Sequence, residues 1–77
     1  MPMDTIEVKG SIRLGQFLKL AGVVEDGATA RLAIQSGDVE VNGTTETRRG
    51  SHLSDGDIVT VHYPDGETGD IAVKVIA

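Results

Sequence analysis

The chain has 77 residues, a formal net charge of −5 and no cysteine. A domain of that size buries a core that only just outweighs chain entropy, and the missing thiols exclude both a disulfide framework and cysteine chemistry. No apolar run approaches the roughly 20 residues needed to cross a bilayer, and no signal-peptide core opens the chain, so a cytoplasmic protein without a membrane partner is expected.

Thr5-Ile6-Glu7-Val8 alternates polar and apolar, the period of a half-buried strand, with Ile6 and Val8 inward. Ser11 is a suitable N-cap for a first helix, because its hydroxyl accepts from a first-turn N–H. Leu14, Phe17, Leu18 and Ala21 then share one helical face, and Gly22 ends the helix. Gln16 and Lys19 project away from that face, and Arg13 stands at its edge. Val23-Val24 leads to a second cap at Asp26, whose carboxylate suits the helix dipole.

The second helix is expected from about Gly27 to Ser36. Ala30, Ala33, Ile34 and Gly37 recur at the spacing of one helical face, with Arg31 and Gln35 beside that stripe, one turn apart. Gly37 falls where a helix stops in the left-handed region. The two helices should pack through Leu14, Phe17, Leu18, Ala30, Ala33 and Ile34. Asp38-Val39-Glu40-Val41 reads as a strand, and Asn42-Gly43 as the tight turn that ends it. A weak strand over 44–47, a loop over Arg48-Arg49-Gly50-Ser51 and a turn at Asp55-Gly56-Asp57 follow. Ile58 to Tyr63 is a β-branched strand, Pro64-Asp65-Gly66 opens a hairpin loop extending to Asp70, and Ile71, Val73 and Val75 mark the last strand. The expected class is α+β: two packed helices on a small, mostly antiparallel sheet, in the order β-α-α-β-β-β-β. No internal repeat or linker divides the chain, so residues 1–77 read as one domain.

Arg13-Leu14, Phe17-Leu18, Ala30-Arg31, Ile34 and the run Gly37 to Gly43 together resemble the RNA-binding domain named after ribosomal protein S-four, the αL motif. Leu53-Ser54-Asp55-Gly56-Asp57-Ile58-Val59 looks like that family's closing turn and strand. The Glu46-Thr47-Arg48-Arg49 run and the short length are most similar to the small stand-alone bacterial members of the YbcJ type. The resemblance covers about residues 11 to 62. It implies a bacterial, ribosome-associated RNA-binding module with no cofactor and no catalytic residues. Two departures stand out: Glu25-Asp26-Gly27 replaces a Ser-Arg-Ser-like entry to the second helix, and the chain is acidic where the family is usually basic.

Charge is unevenly placed. Residues 1–8, 9–49 and 50–77 contribute −2, +1 and −4. A net negative protein has no general attraction to a polyanion, so RNA contact requires a local patch. Arg13, Lys19, Arg31, Gln35, Arg48 and Arg49 are the expected RNA-binding residues, with arginine forks suited to phosphate. Free N–H groups at the start of the second helix would add a phosphate contact, against which the Asp26 charge works.

Phe17 is expected in the core and Tyr63 in packing, which leaves almost no stacking platform and favours backbone or shape reading of structured RNA of the ribosomal or transfer class. His52 and His62 read as histidines at strand margins, with no third group spaced for a triad. Asp65, Glu67 and Asp70 lack the terminal ligand of a calcium loop, so no metal is expected. The expectation is a monomeric, non-catalytic module with no small-molecule substrate. The rival reading is an acidic protein–protein adaptor. Val41-Asn42-Gly43 and Leu53 to Asp57 also look like segments of ubiquitin-like sulfur carriers, but this chain ends Val75-Ile76-Ala77, without their Gly-Gly.

Overall fold

A computed structural model describes residues 4–76. Strand β1 (Asp4–Lys9) leads through the short β2 (Ile12–Arg13) into helix α1 (Leu14–Leu20), and α2 (Gly27–Gln35) follows. The remainder is β3 (Val39–Val41), β4 (Thr44–Thr45), β5 (His52–Leu53), β6 (Ile58–His62) and β7 (Thr68–Ile76). Five strands form one sheet in the order β1-β7-β6-β3-β4, while β2 and β5 pair separately. Neighbours are antiparallel except β1 and β7, which run parallel with Ile6 opposite Val73.

The sheet buries one face. Val8, Val39, Val59, Val61, Ile71 and Val73 point into a core completed from the helices by Leu14, Phe17, Leu18 and Ile34. Their alternation with Glu7, Glu40, Thr60, Asp70 and Lys74 is what fixes strand register, since a one-residue slip would exchange the two sets. Phe17 is fully buried, as the sequence led us to expect. Ala30 is buried and Ala33 partly so where α2 meets the core, so small residues set the approach of the helices.

Two local signals are realised in full. At the end of α2, Gly37 adopts φ +86. Its N–H donates to the Ile34 carbonyl at 3.2 Å and the Asp38 N–H to that of Ala33 at 3.1 Å, the paired bonds of a Schellman motif. Asn42 and Gly43 both have positive φ, +53 and +82, as a type I′ hairpin requires. The Asn42 side chain also accepts from the Ile58 N–H at 2.9 Å and donates to Asp57 at 3.0 Å, tying the turn to β6.

Elsewhere the structure corrects the sequence reading. Ser11 does not cap α1; Arg13 holds that position, because Ile12 and Arg13 are drawn into pairing with Leu53 and His52. Carbonyls of a distant loop take the place of a capping hydroxyl: the Leu14 N–H donates to Ser51 and the Gly15 N–H to Arg49, both at 2.9 Å. β4 stops at Thr45 rather than residue 47. β7 starts at Thr68, not Ile71, because β6 pairs along its full length, His62 facing Thr68, and the hairpin loop is correspondingly short. The second helix ends at Gln35 with Ser36 as C-cap.

The segment between β4 and β5 carries one ion pair and several backbone bonds. The Glu46 N–H donates to Val39, its carboxylate accepts from the Arg48 N–H at 3.2 Å and from the Arg48 guanidinium at 3.3 Å, and the Ser51 N–H returns to the Arg48 carbonyl. Arg48, with Ser51 next in weight, holds the Glu46 carboxyl down to about 2.

Replacing Gly37 by alanine is expected to cost about 1–2 kcal/mol through its left-handed φ and to lower the thermal midpoint by roughly 5–10 °C. Gly27→Ala, at a helical position with open space where the Cβ would stand, should leave the midpoint unchanged or slightly raised; equal losses for the two would refute the backbone account. Because the folded Glu46 carboxyl titrates at about 2 against an ordinary 4.5, it adds stability above pH 4.5 that is lost as pH falls through that interval. Arg48→Ala should return the Glu46 value toward 4.5 in an NMR titration of its carboxyl carbon, and an unmoved value would contradict the pairing.

Candidate nucleic-acid interface

The residues expected to meet RNA come from three segments that the fold draws together. Arg13, Gln16 and Lys19 follow one another at three-residue steps along the open side of α1, where the core-facing positions are Leu14, Phe17 and Leu18. The Gln16 side chain accepts from the Arg13 N–H at 3.3 Å and settles that first turn. Arg31 and Gln35 lie one turn apart on the open side of α2. Arg49 reaches the same place because its carbonyl is bonded to the Gly15 N–H, and its Cβ lies 3.5 Å from where a Gly15 side chain would begin.

These residues line two adjoining shallow depressions. The first, of ≈ 220 Å³, has Arg13, Gln16, Lys19 and Arg49 around Gly15 and Gly27. The second, of ≈ 640 Å³, has Arg31, Gln35, Leu32 and Arg49 around Gly27 and Ala28. Arg49 and Gly27 belong to both, so Arg49 stands at the junction of one continuous trough. Five of the six expected residues therefore converge. Arg48 lines neither depression, and its guanidinium is engaged by Glu46.

The electrostatics of the trough differ from those of the chain as a whole. No Asp or Glu lines either depression. Among the described residues, basic and acidic side chains meet within 4.0 Å at Arg48 with Glu46 and at His62 with Glu40, so Arg13, Lys19, Arg31 and Arg49 have no carboxylate at that distance. Asp26 adjoins the trough as the N-cap of α2, accepting from the Thr29 N–H at 2.8 Å. That backbone bond holds its carboxyl below the usual carboxylate range, with a smaller contribution from Lys19. The capping carboxylate thus occupies the place an anion would take, and side chains rather than the helix terminus make the surface positive.

The tyrosine and the two histidines line neither depression. Tyr63 is 38% exposed at the end of β6, its ring resting over Gly69. His62 is paired with Glu40 on the sheet face away from the helices. His52 faces Arg13 across the β2–β5 ladder. Among the described residues, no three His, Cys, Asp or Glu side chains are grouped as metal ligands, and no helix is long and apolar enough to cross a membrane.

Gln16 was not among the expected site residues, although its projection away from the core beside Lys19 is readable from helical spacing. Leu32 was missed as well; it falls outside the Ala30-Ala33-Ile34 stripe and is 69% exposed.

The S4 domain family model matches residues 5–71. RlbA of Bacillus subtilis (strain 168), named "Probable ribosome maturation protein", is 44% identical over 50 residues, 65% of this chain and 70% of that protein. YbcJ of Escherichia coli (strain K12) is 41% identical over 49 residues, 64% of this chain and 70% of that protein. The solution structure of the E. coli protein, reported to reveal an αL motif involved in RNA binding, aligns with a TM-score of 0.63 and 31% identity over 94% of this chain and 90% of that one. With helices and sheet arranged as in that structure and the model spanning nearly its whole length, the chain belongs to the S4 domain family.

Proposed function

We propose that this chain is a non-catalytic, monomeric RNA-binding module that docks on structured RNA, ribosomal RNA being the favoured class. The trough takes the phosphate backbone. Arg13, Lys19, Arg31 and Arg49 supply the charge, and Gln35 supplies neutral hydrogen bonds. Arg48 shares the loop but is bonded to Glu46 at 3.3 Å, so its contribution is the smallest of the six.

One observation carries the reading: in a chain of net charge −5, four cations without carboxylate partners line a single trough that has no acidic wall. Planar guanidinium forks at the junction suit phosphate oxygens, and the buried Phe17 removes one of the few candidates for base stacking. The relationship to RlbA and YbcJ supports RNA as partner, and the ribosome in the name of the former favours ribosomal over transfer RNA.

Binding of a ribosomal RNA fragment and of a transfer RNA, measured across salt concentration, tests this. Arg49→Ala should weaken binding by roughly tenfold and reduce the slope of log affinity against log salt by about one. Arg48→Ala should change affinity by less than about twofold, as befits an exposed, paired cation. Equal affinity and equal slope for Arg49→Ala and wild type would overturn the assignment. Partners captured from lysate that survive nuclease treatment would favour the protein-adaptor reading instead.

A further inference from the structure

The open side of α2 has a composition that phosphate binding does not explain. Ala28 and Leu32, four residues apart, form a small apolar lane directly beside the polar lane of Arg31 and Gln35. Leu32 is 69% exposed, more than any other large hydrophobic residue described. All four line the same depression, as does Arg49. No acidic residue occurs anywhere in α2.

A leucine contributes nothing to a phosphate contact, and with Ala28 it gives this depression an apolar side against which an apolar surface of a bound molecule would pack. Within RNA, that surface is the face of a base released from its helix. Such a base also has polar edges, and the Gln35 amide offers a donor and an acceptor to read them. From Gly27 to Gln35 the helix extends about 12 Å, room for a base with its ribose. Since Arg49 and Gly27 are shared with the neighbouring depression, one RNA strand crossing the junction would present backbone to Arg13 and Lys19 and the next nucleotide to Leu32.

We propose that the Leu32–Gln35 side of α2 is a nucleotide pocket for an unpaired, extruded base, so that the module selects helices interrupted by a bulge over continuous duplex. This rests on the RNA-binding reading above and adds the structural class of RNA. It divides the trough into a backbone-holding half on α1 and the loop, and a base-selecting half on α2. Leu32 and Gln35 become specificity-determining residues, distinct from the cations that set affinity.

The probes are two hairpin RNAs with the same stem, one fully paired and one carrying a single bulged nucleotide, made with each of the four bases. Wild type should prefer at least one bulged hairpin by roughly tenfold. Leu32→Ala should erase most of that preference while leaving paired-stem affinity and the salt slope intact, and Gln35→Ala should lower the preference as well; both sites are exposed, and circular dichroism checks that the variants fold. Arg49→Ala should weaken both RNAs alike and flatten the slope by about one. Equal affinity of wild type for paired and bulged stems, or full preference retained by Leu32→Ala, would overturn the pocket while leaving backbone docking standing. Failure of wild type to bind any of the hairpins while it binds the ribosomal RNA fragment would overturn the pocket alone, and failure on hairpins, ribosomal fragment and transfer RNA alike would defeat the RNA reading itself. Leu32→Ala that abolishes concentration-dependent self-association without touching RNA preference would assign this face to a protein contact and also overturn the proposal.

Discussion

Two backbone hydrogen bonds organise the molecule. The N–H groups of Leu14 and Gly15, which a helix start leaves unpaired, donate to the carbonyls of Ser51 and Arg49 at 2.9 Å. Each bond contributes about 1 kcal/mol net, and leaving such a donor buried without a partner costs about 1–3 kcal/mol, so the loop is as necessary to α1 as α1 is to the loop. Leu14 and Gly15 are both buried, which puts them in the costly case. The β2–β5 pairing at one end and the Glu46 N–H bond to the Val39 carbonyl at the other hold the loop. Its geometry then leaves Arg49 with a fixed backbone and a free side chain.

That arrangement reconciles an acidic chain with a polyanionic partner. Screening limits each exposed charge to about 8 Å at physiological ionic strength, while the molecule measures 35 × 28 × 22 Å. An RNA lying in the trough therefore responds to the cations lining it far more than to the total of −5. With RNA docked as proposed, the negative remainder would disfavour docking through other faces. Asp26 fits this scheme as a structural charge at the margin, spent on the first turn of α2.

Much of the fold was legible because it is written in local chemistry. Gly37 ends a helix and Asn42-Gly43 makes a turn for reasons contained within a few residues, and the structure gives all three positive φ. The helix stripes were equally readable, since Phe17, Leu18, Ala30 and Ile34 occupy the buried positions that their spacing implied. The two-residue strands β2 and β5 are too short to show a period, and their pairing displaced the start of α1 from Ser11 to beyond Arg13. The parallel contact of β1 with β7 joins the two ends of the chain, which no neighbouring residues announce. For the trough, sequence supplied the cations but not their division: Arg48 and Arg49 are adjacent, yet Glu46 engages one while the Gly15 contact places the other at the junction.

The central claim is spatial, that RNA lies across the junction of α1, α2 and the Arg49 loop. Backbone amide shifts recorded during titration with a structured ribosomal RNA fragment test it directly. Movements should concentrate at Gly15, Gln16, Lys19, Gly27, Arg31, Gln35 and Arg49, with Thr60, Ala72 and Lys74 on the opposite sheet face unmoved. Movements centred on that sheet face, with the trough amides silent, would contradict it.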